Sequence, residues 1–354
     1  MPTSRSQLKV LVIDDSAVVR QVMSSLLSQE RDLHVSVAAD PLFAMEKMRR
    51  QRPDVILLDL EMPRMHGLTF LNKLMAEDPI PVVVCSAVTE SGDSIAIAAL
   101  EAGAVAVIAK PKLGVREFLY ESAVMLIDTV ISAAHAKVRS RKKPAPFVPA
   151  KRKFANTPLH ANVLASDKII AIGASTGGPE AISGILEQLD VSCPPVVVVQ
   201  HMPEGFTAAY AKRLDGLCRI RVKECEPGDR LARGMAVIAP GNRHMSVQQV
   251  NGTYCLVLGN DALVNRHRPS VDVLFHSLAK VAGANALGVL LTGMGNDGAQ
   301  GLLHMREAGS HTIAQDEDSS VVFGMPKEAI AAGAACSVLP LNRMPTAIHH
   351  WISS

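Results

Sequence analysis

The sequence predicts two doubly wound α/β domains joined by a basic linker, and three observations carry that expectation. Short apolar runs rich in Val, Ile and Leu alternate with amphipathic segments over residues 8–130, and again over residues 166–354. Between them, residues 137–153 hold eight basic residues, three prolines and no acidic residue. Several apolar runs of the first half lead into Asp or Ser, and those of the second half into Gly-, Pro- or His-bearing turns, the residues that build turns and sites. The 354 residues, 48% hydrophobic and 20% charged, suit two domains of ~100–200 residues each and exclude a disordered chain.

In the first half, strands are expected at 10–13, 34–38, 55–58, 82–85 and 105–108. Each is short and apolar, as strands buried on both faces of a parallel sheet are. Helices are expected near 17–29, 41–51, 65–76, 93–102 and 115–135. Five such βα units make a doubly wound α/β domain of ordinary size. Residues 131–165 follow as a solvated linker, since Lys, Arg and Pro leave little to bury. In the second half, strands are expected at 169–172, 196–199, 235–239 and 287–291, with helices near 178–189, 205–216, 270–282 and 297–308. Asn251-Gly252 between apolar runs predicts a hairpin. The second domain is therefore mostly parallel with an antiparallel addition.

Composition narrows the function classes. No stretch reaches the ~18 apolar residues of a membrane span. The polar residues 1–7 do not form a secretory signal. The six cysteines, without a CxxC pair, read as buried thiols in a reducing compartment. A cytoplasmic chain with no membrane insertion is expected. Aromatics are only 3%, so no base-stacking platform is expected. The basic run is not accompanied by a recognition helix, so a transcriptional output and nucleic-acid binding are set aside.

The first domain concentrates acids at strand ends. Asp14 and Asp15 follow the first strand, Asp59 the third and Lys110 the fifth, while Ser86 ends the fourth. In a parallel sheet these positions share the carboxyl edge, where ligands bind. Three converging carboxylates need a cation, and oxygen ligands suit Mg²⁺. A carboxylate can accept a phosphoryl group, which Lys110 and Ser86 could then bind. Residues 8–130 resemble the receiver domain of two-component response regulators, through Asp14-Asp15-Ser16, the string from Leu57 to Pro63, Gly67, Ser86-Ala87 and Lys110-Pro111. The resemblance implies a flavodoxin-like sheet, Asp59 as phospho-acceptor, Asp14, Asp15 and Asp59 as Mg²⁺ ligands, and Ser86 and Lys110 as phosphate readers. It departs at Val107, where many receivers carry Phe or Tyr, and at His66, where related chains often have Asp.

In the second domain, Gly173-Ala174-Ser175-Thr176-Gly177-Gly178-Pro179 joins a strand to a helix, a tight turn that exposes Ser175 beside free backbone N–H groups. His201 follows the next strand, and Asp297 lies in a Gly-rich turn after the strand at 287–291. Nucleophile, base and orienting acid then all lie at strand ends. A nucleotide-binding turn at 173–178, with Asp190 holding a ribose, is the other reading of these glycines. The order Ser, His, Asp differs from that of the α/β-hydrolases, although G-x-S-x-G matches them. Order and strings resemble the methylesterase domain of the CheB family of chemotaxis regulators: 172–179, Gln200-His201-Met202-Pro203, Ala239-Pro240-Gly241, Arg268-Pro269-Ser270-Val271-Asp272, 291–298, Ile313-Ala314-Gln315-Asp316 and Phe323-Gly324-Met325-Pro326. The resemblance implies Ser175 as nucleophile, His201 as base, Asp297 as its orienting acid, and the backbone N–H groups of Thr176 and Met294 as oxyanion hole. It further implies hydrolysis of glutamate γ-methyl esters on methyl-accepting chemoreceptors, with deamidation of glutamines in some members. A chemotaxis histidine kinase would act as phosphodonor, the unphosphorylated receiver would cover the catalytic edge, and the esterase chemistry would need no cofactor. A monomer is expected. His244 and His267 are expected in loops rimming the site, and His349 and His350 on the surface.

Overall fold

Strands that are apolar on both faces must be covered on both faces, and in the computed structural model helices do this in each of two compact units, Met1–Pro144 and Ala145–Ser354. The structure describes residues 7–63, 65–110, 116–139 and 167–354. The linker from residue 140 onward and Pro111 lie outside the described residues.

The first unit runs β1 (Leu8–Ile13), α1 (Ala17–Leu27), β2 (Leu33–Ala38), α2 (Pro41–Arg50), β3 (Val55–Asp59), α3 (Gly67–Glu77), β4 (Val82–Ser86), α4 (Glu90–Glu101), β5 (Ala106–Ala109) and α5 (Arg116–Ala134). Its sheet is parallel with order β2-β1-β3-β4-β5. The order reverses between β1 and β3, so the ends of these two strands border the crevice where ligands bind in such sheets.

The second unit runs β6 (Ile169–Ala174), α6 (Gly178–Leu186), β7 (Val196–Gln200), α7 (Phe206–Leu217), β8 (Arg221–Glu224), β9 (Met235–Ile238), β10 (His244–Val250), β11 (Thr253–Gly259), α8 (Val271–Val281), β12 (Ala286–Leu290), α9 (Ala299–Glu307), β13 (His311–Gln315), α10 (Met325–Ala331), β14 (Ser337–Leu339) and α11 (Met344–Ser353). Seven strands form one parallel sheet, β14-β13-β12-β6-β7-β9-β8. The hairpin β10–β11 is a separate two-stranded sheet. The reversal of strand order falls between β6 and β12, so the segments after β6, β7 and β12 meet at one edge. Three strands, β8, β13 and β14, and two helices, α10 and α11, were not among the expected elements. The polar residues of β8 and the brevity of β14 conceal them.

The core of this unit includes Phe275, Leu274 and Leu278 of α8 and Leu302 and Met305 of α9, all fully buried. Each large apolar side chain so buried contributes about 1.5–3 kcal/mol. This packing anchors α8, whose N-terminus matters below. Five of the six cysteines are buried as expected; Cys336 is exposed. Among the described residues no helix is long and apolar enough to cross a membrane.

Candidate active site and receiver pocket

The register of β6 and β7 decides where the nucleophile and base candidates meet. Ala174 pairs with Gln200, and His201 N–H continues the ladder by donating to Ala174 O (3.1 Å). Ser175 and His201 are therefore the next residues on adjacent parallel strands, which lie ≈ 4.8 Å apart. The Gln200 side chain clamps both, its Nε2 donating to Ser175 O (2.9 Å) and His201 O (3.0 Å). On the other side of β6, Ser175 N–H donates to Thr292 O (3.0 Å).

Turn geometry is carried by glycine rather than by the serine. Gly178 N–H donates to Ser175 O (2.8 Å), closing a turn in which Gly177 is left-handed at φ 78°. A Cβ on Gly177 would also lie 2.5 Å from Val321 Cβ. Ser175 is not among the residues of positive φ, which separates this turn from the strained elbow of the α/β-hydrolases. Gly293 lets the β12 loop close on the serine, since a Cβ there would lie 2.7 Å from Ser175 Cβ.

Asp297 is buried at 1% exposure and faces His201, with Oδ2 to Nε2 at 2.8 Å. A carboxylate only accepts, so Nε2 carries the proton and Nδ1 keeps the lone pair. His201 Nδ1 is buried and has no hydrogen-bond partner among the described residues. Asp297 does not engage it, and Ser175 Oγ makes no hydrogen bond to it. Asp297 Oδ1 accepts from Ser270 Oγ (2.7 Å), Asn265 Nδ2 (2.9 Å) and Asp272 N (3.2 Å), and Oδ2 also accepts from Val271 N (2.7 Å). Three of these donors form the N-terminus of α8, whose dipole favours an anion. Burial by itself would raise the Asp297 pKa. The bond to His201, the attraction of His201 when it is protonated, and the bonds from Asn265 and Ser270 outweigh burial and hold it well below the usual carboxylate range.

The motif strings acquire physical roles. Gln315 Oε1 accepts from Thr292 N (2.8 Å), and Phe323 pairs with Gly293, so both strings hold the loop after β12. That loop presents Met294, which is 38% exposed. Met294 N–H makes no hydrogen bond among the described residues.

Of the two histidines expected in loops rimming the site, His267 lies in such a loop and His244 does not. His244 opens β10 and is buried, its Nδ1 accepting from Ser270 N (3.2 Å) and its Nε2 donating to Ala262 O (3.0 Å). His267 stacks on His201, with ring centroids 3.8 Å apart and planes 9° from parallel. Burial first, and then the neighbouring His201, push its pKa down to about 3. His201, His267 and Asp297 bring donor atoms within 4.8 Å of one another. Stacked rings keep their lone pairs in separate parallel planes, however, so these residues do not converge on a metal. Asn265 and Ser270 gave no sign of a site role by residue type; only the string at 268–272 pointed to this region. Asp190, the ribose candidate, accepts from Ser192 N and Oγ in a loop turn.

In the first unit, Asp14 and Asp59 are buried and Asp15 is exposed. Their carboxylate oxygens lie within 4.8 Å of one another. Lys110 Nζ sits 3.0 Å from Asp14 Oδ2 and 2.9 Å from Asp59 Oδ2. Burial raises the Asp14 pKa against the bond and charge of Lys110. A Cβ on Gly67 would lie 2.1 Å from Asp59 O, so only glycine fits behind this acid. Ser86 is buried at the end of β4, and Lys110 N–H donates to Ser86 O (2.9 Å). Val107 is buried in β5, in register with Val84.

A receiver-type sheet with an acidic pocket, on one chain with a Ser-His-Asp arrangement at strand ends, defines a class: a response regulator whose output unit is an enzyme. The family models agree, matching a response regulator receiver domain over residues 10–117 and CheB methylesterase over residues 170–348. The chain belongs to the CheB methylesterase family. It is 54% identical to protein-glutamate methylesterase/protein-glutamine glutaminase 1 of Anaeromyxobacter dehalogenans, over 97% of this chain and 99% of that protein. It is 52% identical to protein-glutamate methylesterase/protein-glutamine glutaminase 3 of Geobacter metallireducens, over 95% and 96% of the two. The crystal structure of the Thermotoga maritima CheB methylesterase catalytic domain superposes with a TM-score of 0.51 at 40% identity, covering 52% of this chain and 97% of that one.

Proposed function

We propose that the chain hydrolyses γ-methyl esters of glutamate side chains on chemoreceptors, and deamidates glutamines at the same site, under control of phosphorylation at Asp59. The observation that carries the catalytic reading is the His201–Asp297 bond of 2.8 Å, with a buried, unpartnered His201 Nδ1 at the register position beside Ser175.

In this reading Ser175 Oγ attacks the ester carbonyl carbon while its proton passes to His201 Nδ1. Asp297 stabilises the imidazolium and fixes its tautomer. The tetrahedral oxyanion is held by the N–H groups of Thr176 and Met294. Its collapse breaks the C–O bond, and His201 returns the proton to the leaving methoxide as methanol. A glutamyl ester on Ser175 remains. His201 Nδ1 then deprotonates water, the hydroxide displaces Ser175, and glutamate is released. Glutamine follows the same path with ammonia as leaving group.

In the receiver, Asp14, Asp15 and Asp59 are an all-oxygen donor set suited to Mg²⁺, and the buried Asp14 Oδ2 and Asp59 Oδ2 share the single ammonium of Lys110. Such an ion would neutralise the acid cluster. Asp59 accepts the phosphoryl group from a chemotaxis histidine kinase, and Lys110 and Ser86 bind its oxygens. The chain works in the cytoplasm, where kinase and receptor signalling tips are found.

The test is methanol release from methylated receptor membranes, with and without acetyl phosphate and Mg²⁺. Release that rises with the phosphodonor and disappears in Ser175→Ala is expected. Near wild-type release by Ser175→Ala would remove Ser175 as nucleophile.

A further inference from the structure

Residues 264–267 form a tight reversal that the triad does not explain. Val264 and His267 exchange backbone hydrogen bonds (3.1 and 2.9 Å), with Asn265 at φ 49° and Arg266 at φ 65° between them. Two successive left-handed residues are a type I′ feature that normally recruits glycine, and non-glycine residues there cost energy. Both residues that flank Arg266 reach the catalytic set. Asn265 Nδ2 donates to Asp297 Oδ1 (2.9 Å) and to Asp272 Oδ2 (2.7 Å). His267 Nδ1 donates to Asn265 O (2.6 Å), and its ring lies flat on His201.

Asp272 is a second buried carboxylate, 4% exposed, that the hydrolytic path does not use. Its Oδ1 accepts from Gly301 N (2.6 Å), and its Oδ2 accepts from Asn265. Two acids thus share one neutral amide, and among the described residues no cation pairs with Asp272.

We propose that Asn265 and His267 are the positioning residues of this site: Asn265 spaces Asp297 from Asp272 so that Asp297 stays ionised toward His201, and His267 fixes the plane of the His201 ring. This rests on the triad reading above. An amide NH₂ has two donors and no charge, so it can satisfy two carboxylates at once. Replacing it with a third acid forces like charges together, and one must take a proton. Burial already raises the Asp272 pKa, against the bond from Gly301. A flat stack restrains ring rotation while leaving both His201 nitrogens free to act along the Ser175–Asp297 line.

The test uses the full-length chain and methanol release from methylated receptors, with thermal melting to verify folding. Asn265→Gly keeps the left-handed backbone and removes the amide. It should lower kcat about tenfold to a hundredfold, as loss of a hydrogen-bond partner behind a metal-ligating side chain does, with KM within about twofold. Asn265→Asp is nearly isosteric yet should be worse than Asn265→Gly, and should move the acid limb of kcat/KM to higher pH. The titratable groups facing this cluster are His201, His267, Asp272 and Asp297, with His276 of α8 and Arg266 beyond them. A purely structural role predicts the reverse order, and finding it would overturn the proposal. Arg266→Gly, in the same turn, should stay within about threefold of wild type; a loss equal to that of Asn265→Gly would assign the effect to the turn and refute the amide. His267→Ala should lose at least about tenfold in kcat, and His267→Phe, which keeps a flat ring, should recover most of it. Equal loss in both would refute the stacking role. If Ser175→Ala remains active in the same assay, the triad reading fails; if it is dead while the Asn265 and His267 variants match wild type, only the present proposal fails.

Discussion

Replacing Asp297 by Asn tests the catalytic reading most sharply, because the structure says which hydrogen bonds the new amide breaks. Asp297 accepts five: three at Oδ1 and two at Oδ2. The NH₂ introduced by Asp297→Asn must point at one of these sets. At the Oδ1 position it meets Ser270 Oγ, Asn265 Nδ2 and Asp272 N. At the Oδ2 position it meets only Val271 N and His201 Nε2, and His201 can relieve the clash by switching tautomer. The second placement leaves two buried N–H groups unpaired, that of Val271 and the second of the amide, a cost of about 1–3 kcal/mol each, so the melting temperature should fall by several degrees while the protein still folds. The switched imidazole carries its proton on Nδ1 and cannot accept one from Ser175. A wrong-tautomer histidine costs ~10⁴-fold in kcat, about 5.5 kcal/mol at 1.36 kcal/mol per tenfold. Initial rates of methanol release at saturating methylated receptor measure it, with melting as the fold check. A folded Asp297→Asn protein within tenfold of wild type would refute the role of Asp297.

Asp59→Ala leaves Lys110 paired with Asp14 alone and removes the phospho-acceptor, so methanol release should no longer rise on adding acetyl phosphate and Mg²⁺; stimulation to the wild-type level would show that Asp59 is not the switch. Every group of the proposed triad lies within Ala145–Ser354, and a relative's catalytic domain crystallised alone, so the fragment 145–354 should hydrolyse methyl esters at or above the unphosphorylated full-length rate. A folded but inactive fragment would mean that the receiver supplies part of the site. His267, held neutral down to about pH 3 against an ordinary value of 6.5, should make stability pH-dependent. The unfolded chain takes up this proton as pH falls through about 6.5 and the folded chain does not, so the contribution is present above 6.5 and is lost progressively toward 3. The slope is at most about 1.4 kcal/mol per pH unit, and His267→Phe should remove it from denaturant titrations across that window. An unchanged slope would show that His267 titrates normally in the folded protein.

Much of this protein was readable from its amino acids because parallel α/β folds write themselves locally. A strand buried on both faces must be continuously apolar, so β1, β3, β4, β6, β7 and β12 each announce themselves within a few residues. Any residue that follows such a strand lies at the carboxyl edge, and for that reason Asp14, Asp59, Lys110, Ser175 and His201 could be assigned to site edges before any coordinates. The two sheets could not be ordered in that way. Strand order depends on long-range pairing, and it is the reversal between β6 and β12 that brings Asp297 across the sheet to His201, 96 residues away in sequence. The same limit hid the roles of Asn265 and Ser270, and left His267 as no more than a loop residue at the rim. Nothing in a loop Asn, a helix-capping Ser or a lone His distinguishes a surface residue from a partner of a buried carboxylate. That difference comes from the N-terminus of α8, anchored by Phe275 and Leu278 in the core, which aims its free N–H groups at Asp297. Local chemistry determines which residues can end a strand; the desolvated space that converts them into one charge-paired set exists only once the sheet has closed around it.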